Sequence, residues 1–216
     1  MKREEVIELV SEALKSLSRL EEEREELLSL CREIVKLSRR IITCTHRLKP
    51  SEDVKVLVEK VRVLRGYKDK APELFFTGTV TSCLTEYVEA RCFYSLVYEG
   101  KIPSIEELGV DPSSYLLGLA DLVGELRRLI LTYIRQERFD EAERLFLVME
   151  AIYDSLRQAS LPDPLAPGLR RKTDIARIVV ENTRRDIIFF KRAYNLERLL
   201  AGEEHGQENR VLSQEG

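Results

Sequence analysis

Apolar residues recur at steps of three and four along almost the whole chain. Val6, Leu9, Val10, Ala13, Leu14, Leu17 and Leu20 form a first stripe. An acidic run from Glu21 to Glu26 interrupts it, and it resumes with Leu27, Leu28, Cys31, Ile34, Val35, Ile41 and Ile42. No Pro or Gly occurs before Pro50, so one long helix can span most of this region. A second helix is expected after Pro50-Ser51, carrying Val54, Leu57, Val58, Val61 and Leu64 and weakened at Gly66. Pro72 suits the first turn of a third, which should run to about Gly100.

Ser104 and Glu107 have the spacing of a capping box on a short turn closed by Gly109. Asp111-Pro112 is a helix start, an N-cap acid followed by Pro at the first helical position, for a helix reaching about Arg135. Another begins at Phe139-Asp140 and ends before Pro162. The last should run from about Leu169 to Leu200. No alternating strand pattern stands out. The expectation is an all-α fold of about seven helices in a single domain, residues 1–201, with a polar, disordered tail at 202–216. Residues 137–146 resemble one tetratricopeptide turn, but no second copy follows at the required period, so a repeat array is rejected.

Composition changes this picture little. Charged residues make up 34% of 216, against 44% hydrophobic, which reads as a globular protein with a heavily charged surface. The net charge of −3 means that any nucleic-acid contact must come from a local basic patch. The four cysteines, Cys31, Cys44, Cys83 and Cys92, form no CxxC pair and are expected as buried free thiols. The start Met1-Lys2-Arg3-Glu4-Glu5 has no apolar signal-peptide region, and no apolar run approaches membrane-spanning length, which implies a cytoplasmic location.

Four carboxylates change it more. Glu86 and Glu89 lie three apart in one helical segment, and Asp121 and Glu125 four apart in another, so each pair shares a helix face. Should the two helices pack together, the acids converge. Such a cluster is unfavourable without a cation, and carboxylate oxygens suit Mg²⁺ or Mn²⁺. Gly118 and Gly124 flank Asp121. Each costs about 1 kcal/mol in a helix interior, which suggests a close approach by another backbone or a ligand. Spacing alone favours these acids as ordinary members of solvated faces paired with arginines. For phosphate contacts the candidates are Arg39, Arg40, Arg47 and Lys49, with His46 beside them. In the last helix Arg170, Arg177 and Arg184 recur every seven residues, either as a basic stripe or as a solvated face.

The stretch Asp111-Pro112-Ser113-Ser114-Tyr115-Leu116-Leu117-Gly118-Leu119-Ala120-Asp121-Leu122-Val123-Gly124-Glu125-Leu126-Arg127-Arg128 resembles the signature of the translin superfamily. Leu84-Thr85-Glu86-Tyr87-Val88-Glu89-Ala90 resembles the preceding helix of its TRAX type, and Leu37-Ser38-Arg39-Arg40, His46-Arg47 and Ile152-Tyr153-Asp154 agree. The resemblance implies a seven-helix fold, a closed octameric shell and a metal-dependent endoribonuclease site. It makes Glu86, Glu89 and Asp121 the catalytic, metal-binding acids, adds Glu125 as a further acid, and gives Arg128 to the RNA phosphate.

The segment Thr77-Gly78-Thr79-Val80-Thr81-Ser82 lacks the basic, histidine-containing block of translin proper, which favours the TRAX type. The expected activity is therefore phosphodiester hydrolysis of single-stranded or duplex-derived RNA with Mg²⁺ or Mn²⁺. Single-stranded DNA is a secondary ligand, and the protein is expected as a homo-octamer with no membrane role. The alternatives are a non-catalytic single-strand binder of the translin type and a helical scaffold.

Overall fold

The computed structural model describes residues 3–212, with side chains to residue 200. Among these residues there are eight α-helices and no strand. They are α1 (Arg3–His46), α2 (Asp53–Lys70), α3 (Pro72–Phe75), α4 (Gly78–Tyr98), α5 (Ile105–Leu108), α6 (Pro112–Arg135), α7 (Phe139–Arg157) and α8 (Leu169–Leu212), with a 3₁₀ turn at Asp163–Leu165. The all-α reading holds. None of the described helices is long and apolar enough to cross a membrane.

Local chemistry explains the ends. At α5, Glu107 N–H donates to Ser104 Oγ at 3.2 Å and Ser104 N–H donates to Glu107 Oε2 at 2.7 Å, completing the capping box. Gly109 closes it in the left-handed region at φ 63°. Asp111 accepts from the Ser114 backbone at 2.9 Å and from its hydroxyl at 2.6 Å, satisfying the first turn of α6.

Two expectations need correction. The helix expected from Pro72 to Gly100 is two helices, because Thr77 is extended (φ −112°, ψ 155°) and its hydroxyl donates to the Leu74 carbonyl at 3.0 Å, ending α3. The region expected as a disordered tail from Gly202 continues α8 as helical backbone to Leu212, and residues 213–216 lie outside the described residues.

The chain forms two compact units, 1–122 with 164–167, and 123–163 with 168–216. The division falls inside the continuous helix α6, so no linker marks it. In the first unit α1 packs on α2 and α4. Leu27, Cys31, Ile34 and Ile41 of α1 are buried with Leu57, Val61 and Leu64 of α2 and Val80, Leu84, Val88 and Phe93 of α4. The stripe nearer the start of α1 stays uncovered, with Leu9, Leu14 and Leu17 at 59–62% exposure. In the second unit α7 packs on α8. Phe139, Ala142, Phe146 and Met149 at helical spacing are buried, as are Ala176, Val180 and Ile187.

The two glycines of α6 differ. A Cβ on Gly118 would stand 2.6 Å from Val88 Cβ and 2.9 Å from the Thr85 carbonyl oxygen, so α4 and α6 touch backbone to backbone there. Around Gly124 nothing lies within 4 Å. Gly118→Ala therefore loses about 1–2 kcal/mol after allowing for the better helix propensity of Ala, whereas Gly124→Ala gains up to about 1 kcal/mol. Thermal unfolding of both variants should show shifts of opposite sign, and a stabilised Gly118→Ala would contradict the close approach.

Candidate metal and nucleic-acid site

Glu86 and Glu89 stand at the rim of the buried face of α4. Thr85, Tyr87, Val88 and Ala90 are buried around them, while both glutamates are half-buried. Arg39 of α1 reaches across to this rim. Its Nη2 donates to Glu86 Oε1 at 3.1 Å and its Nε donates to Oε2 at 3.4 Å, a forked pair. The hydrogen bond and charge of Glu86, with a smaller contribution from Glu89, raise the Arg39 pKa above its usual value despite some desolvation.

Tyr115 lies near Cys92, and Gly118 abuts Val88 and Thr85. Residues advancing along α6 thus meet earlier residues of α4, so the helices run antiparallel. Asp121, half-buried, follows less than one turn after Gly118 on α6. Glu125 (half-buried) and Arg128 (exposed) follow on α6, beyond the division at Leu122 and so in the second unit. Among the described residues, no three His, Cys, Asp or Glu side chains converge as a ready metal cage.

The basic candidates separate into two groups. Arg39 and Arg40 line an open groove of about 510 Å³ on α1, with Asp53 of α2 holding Arg40 at 3.1 Å. Arg32 and Lys36 line it too, and the sequence reading missed them. Their spacing of 32, 36, 39, 40 and 43, one helix stripe, was the available signal. His46 is half-buried and packs its ring on Phe93 at a centroid distance of 4.8 Å, which suits a structural role, and Arg47 is exposed at the end of α1. In the second unit Arg170 and Arg177 are exposed, whereas Arg184 donates through Nε to Glu150 at 3.1 Å and lies over Phe146. Arg127, rather than Arg128, is tied down, to Thr183 and Asp186 at 2.9 Å each.

Residues 22–183 match the Translin family. The chain belongs to the translin family. An uncharacterised protein of Methanocaldococcus jannaschii is 36% identical over 172 residues, covering 77% of this chain and 76% of its own. Translin-associated protein X of Rattus norvegicus is 27% identical over 173 residues, and the match spans 60% of each chain. Among solved structures, AfC3PO in complex with duplex RNA superposes with a TM-score of 0.79 at 36% identity, covering 85% of this chain and 97% of that one. Apo-NeC3PO gives 0.76 at 26%, covering 84% and 96%. The TRAX-type relatives agree with the resemblance carried by residues 84–90 and 111–128.

For a translin-family chain of TRAX type, the donor chemistry at the rim fits a hard divalent cation. It consists of carboxylate oxygens, and a guanidinium already stands in as a cation across Glu86 and near Glu89. The thiols offer no competing chemistry. Cys31, Cys83 and Cys92 are buried and free, as expected, and Cys44 is half-buried. Cys83 donates to the Cys31 carbonyl at 3.7 Å; its hydrogen bond with the Cys31 thiol, together with burial, raises its pKa, and burial pushes the Cys92 thiol up to about 12. A thiol with a raised pKa holds less thiolate at pH 8, and thiolate is the reactive form. Native protein titrated with a thiol-specific disulfide reagent at pH 8 should release one equivalent quickly, from Cys44. Cys31, Cys83 and Cys92 should react only on unfolding, Cys31 because burial blocks access even though its hydrogen bond with Cys83 lowers its pKa, and their prompt reaction would contradict the packing of α1 on α4.

Proposed function

We propose that this protein is a metal-dependent endoribonuclease that hydrolyses phosphodiester bonds of single-stranded or duplex-derived RNA. The observation that carries this reading is the carboxylate rim of α4, already holding a guanidinium, on a helix that Gly118 locks against the helix of Asp121. The similarity to AfC3PO, whose structure was solved as a duplex RNA complex, supports RNA as the substrate class.

Glu86, Glu89 and Asp121 would hold Mg²⁺ or Mn²⁺, with Glu125 as the further acid of the family signature. When bound, such an ion polarises the scissile phosphate and lowers the pKa of an attacking water. Arg128, exposed on the same helix, offsets phosphate charge as it builds in the transition state. Arg32, Lys36 and Arg40 line the groove along which the RNA backbone runs, contacting phosphates with little reading of sequence. In the second unit, Arg170, Arg177 and Arg184 on α8 are proposed as further phosphate contacts.

The uncovered stripe of α1 and the exposed Ile188, Phe189, Phe190 and Leu196 of α8 support self-association, for which a homo-octamer in the cytoplasm is the proposed form. A second reading, single-strand binding without cleavage, draws on the absence, among the described residues, of three converged metal-ligand side chains.

Incubation with single-stranded RNA and Mn²⁺ should give cleavage that a chelator abolishes. Glu89→Ala and Asp121→Asn should each lower the rate by about 100-fold or more with unchanged circular dichroism, the scale expected when transition-state charge loses its support. Cleavage indifferent to chelator, or to both substitutions, contradicts the proposal. Salt-dependent binding without cleavage moves the protein to the second reading.

A further inference from the structure

We propose that Arg39 is the displaceable occupant of the carboxylate site. Its guanidinium holds Glu86 until a divalent cation takes that position, and it then turns into the groove of Arg32, Lys36 and Arg40 to meet a phosphate of the RNA backbone. This rests on the nuclease reading and adds to it a residue that couples metal to substrate.

Three observations carry it. The guanidinium engages both oxygens of Glu86, at 3.1 and 3.4 Å, so it competes with a metal ion for them through their lone pairs and through like charge. A guanidinium remains charged at any accessible pH, so the pair yields to a competing cation rather than to proton loss. The pair is also shallow. The Arg39 side chain is 69% exposed and that of Glu86 30%, and ion pairs of this kind are weak enough for a divalent ion to break. Finally, Arg39 already lines the basic groove, on the same stripe as Arg32, Lys36 and Arg40, so rotation about its side-chain bonds suffices to move it from carboxylate to groove. Arg40 is held by Asp53 and cannot make that exchange without giving up its own partner.

The consequence is reciprocal coupling. A cation that frees Arg39 raises affinity for RNA, and RNA that captures Arg39 raises affinity for the cation.

Calorimetric titration of the RNA-free, full-length protein with Mn²⁺ alone tests the first half. Arg39→Met should bind Mn²⁺ about three- to tenfold tighter than the parent, since both the competing pair and a like charge are removed. Arg39→Lys should fall between them, and Arg40→Met should match the parent. Equal or weaker binding by Arg39→Met overturns the displacement while leaving the nuclease reading intact. Absence of Mn²⁺ binding in parent and variant alike overturns both. Fluorescence anisotropy with a hydrolysis-resistant phosphorothioate RNA strand tests the second half. Mn²⁺ should strengthen binding to the parent at least about threefold more than binding to Arg39→Met, by the loss of one phosphate contact. Equal gains overturn the transfer to phosphate.

Discussion

Everything at the candidate site depends on the contact of α6 with α4 at Gly118. Only a residue without a side chain lets the α6 backbone come against Val88 and the Thr85 carbonyl. That contact aligns two helices whose acids are otherwise unrelated in sequence. It also leaves the acids at the rim of the helix pair, half-buried, instead of in its interior. The placement matters energetically. A carboxylate in a dry core carries a large desolvation penalty, whereas a rim position leaves its oxygens accessible as ligands.

The charges at this rim do not hold the fold together. That is done by Leu27, Ile34, Ile41, Leu57, Leu64, Val88 and Phe93, where α1, α2 and α4 bury their apolar faces. The rim is thus free to exchange its ion pairs with little cost to stability. Arg39 and Glu86 are the clearest instance, since each sits on a helix already fixed by that core. The rigid packing positions the acids, and the weak surface pair lets the site change occupant.

Much of this was legible in the sequence, for identifiable reasons. Long stripes at 3.6-residue spacing give α1, α2, α6, α7 and α8 because one face of each is buried, and Ser104–Glu107 and Asp111–Pro112 mark helix starts through their own hydrogen bonds. The break at Phe76–Thr77 was not legible, because it comes from a threonine hydroxyl bonding back to Leu74, without a proline at the break. The division of the chain was hidden because it lies within α6. Gly118 and Gly124 look alike in sequence, yet only the first faces another backbone. The four acids could be named from spacing and from the translin resemblance, but whether their helices meet is a tertiary fact. The basic groove was half seen, since Arg39 and Arg40 stand out as a pair while Arg32 and Lys36 join them only when the three-and-four spacing is followed back along the expected helix.

The most direct measurement is anomalous diffraction from crystals of the protein soaked in Mn²⁺. The account predicts one or two peaks at about 2.0–2.2 Å from carboxylate oxygens of Glu86, Glu89 and Asp121, the range of a small hard cation, with the Arg39 guanidinium displaced from Glu86. Crystals that bind Mn²⁺ elsewhere, or that leave the Arg39–Glu86 pair in place at saturating Mn²⁺, would contradict it.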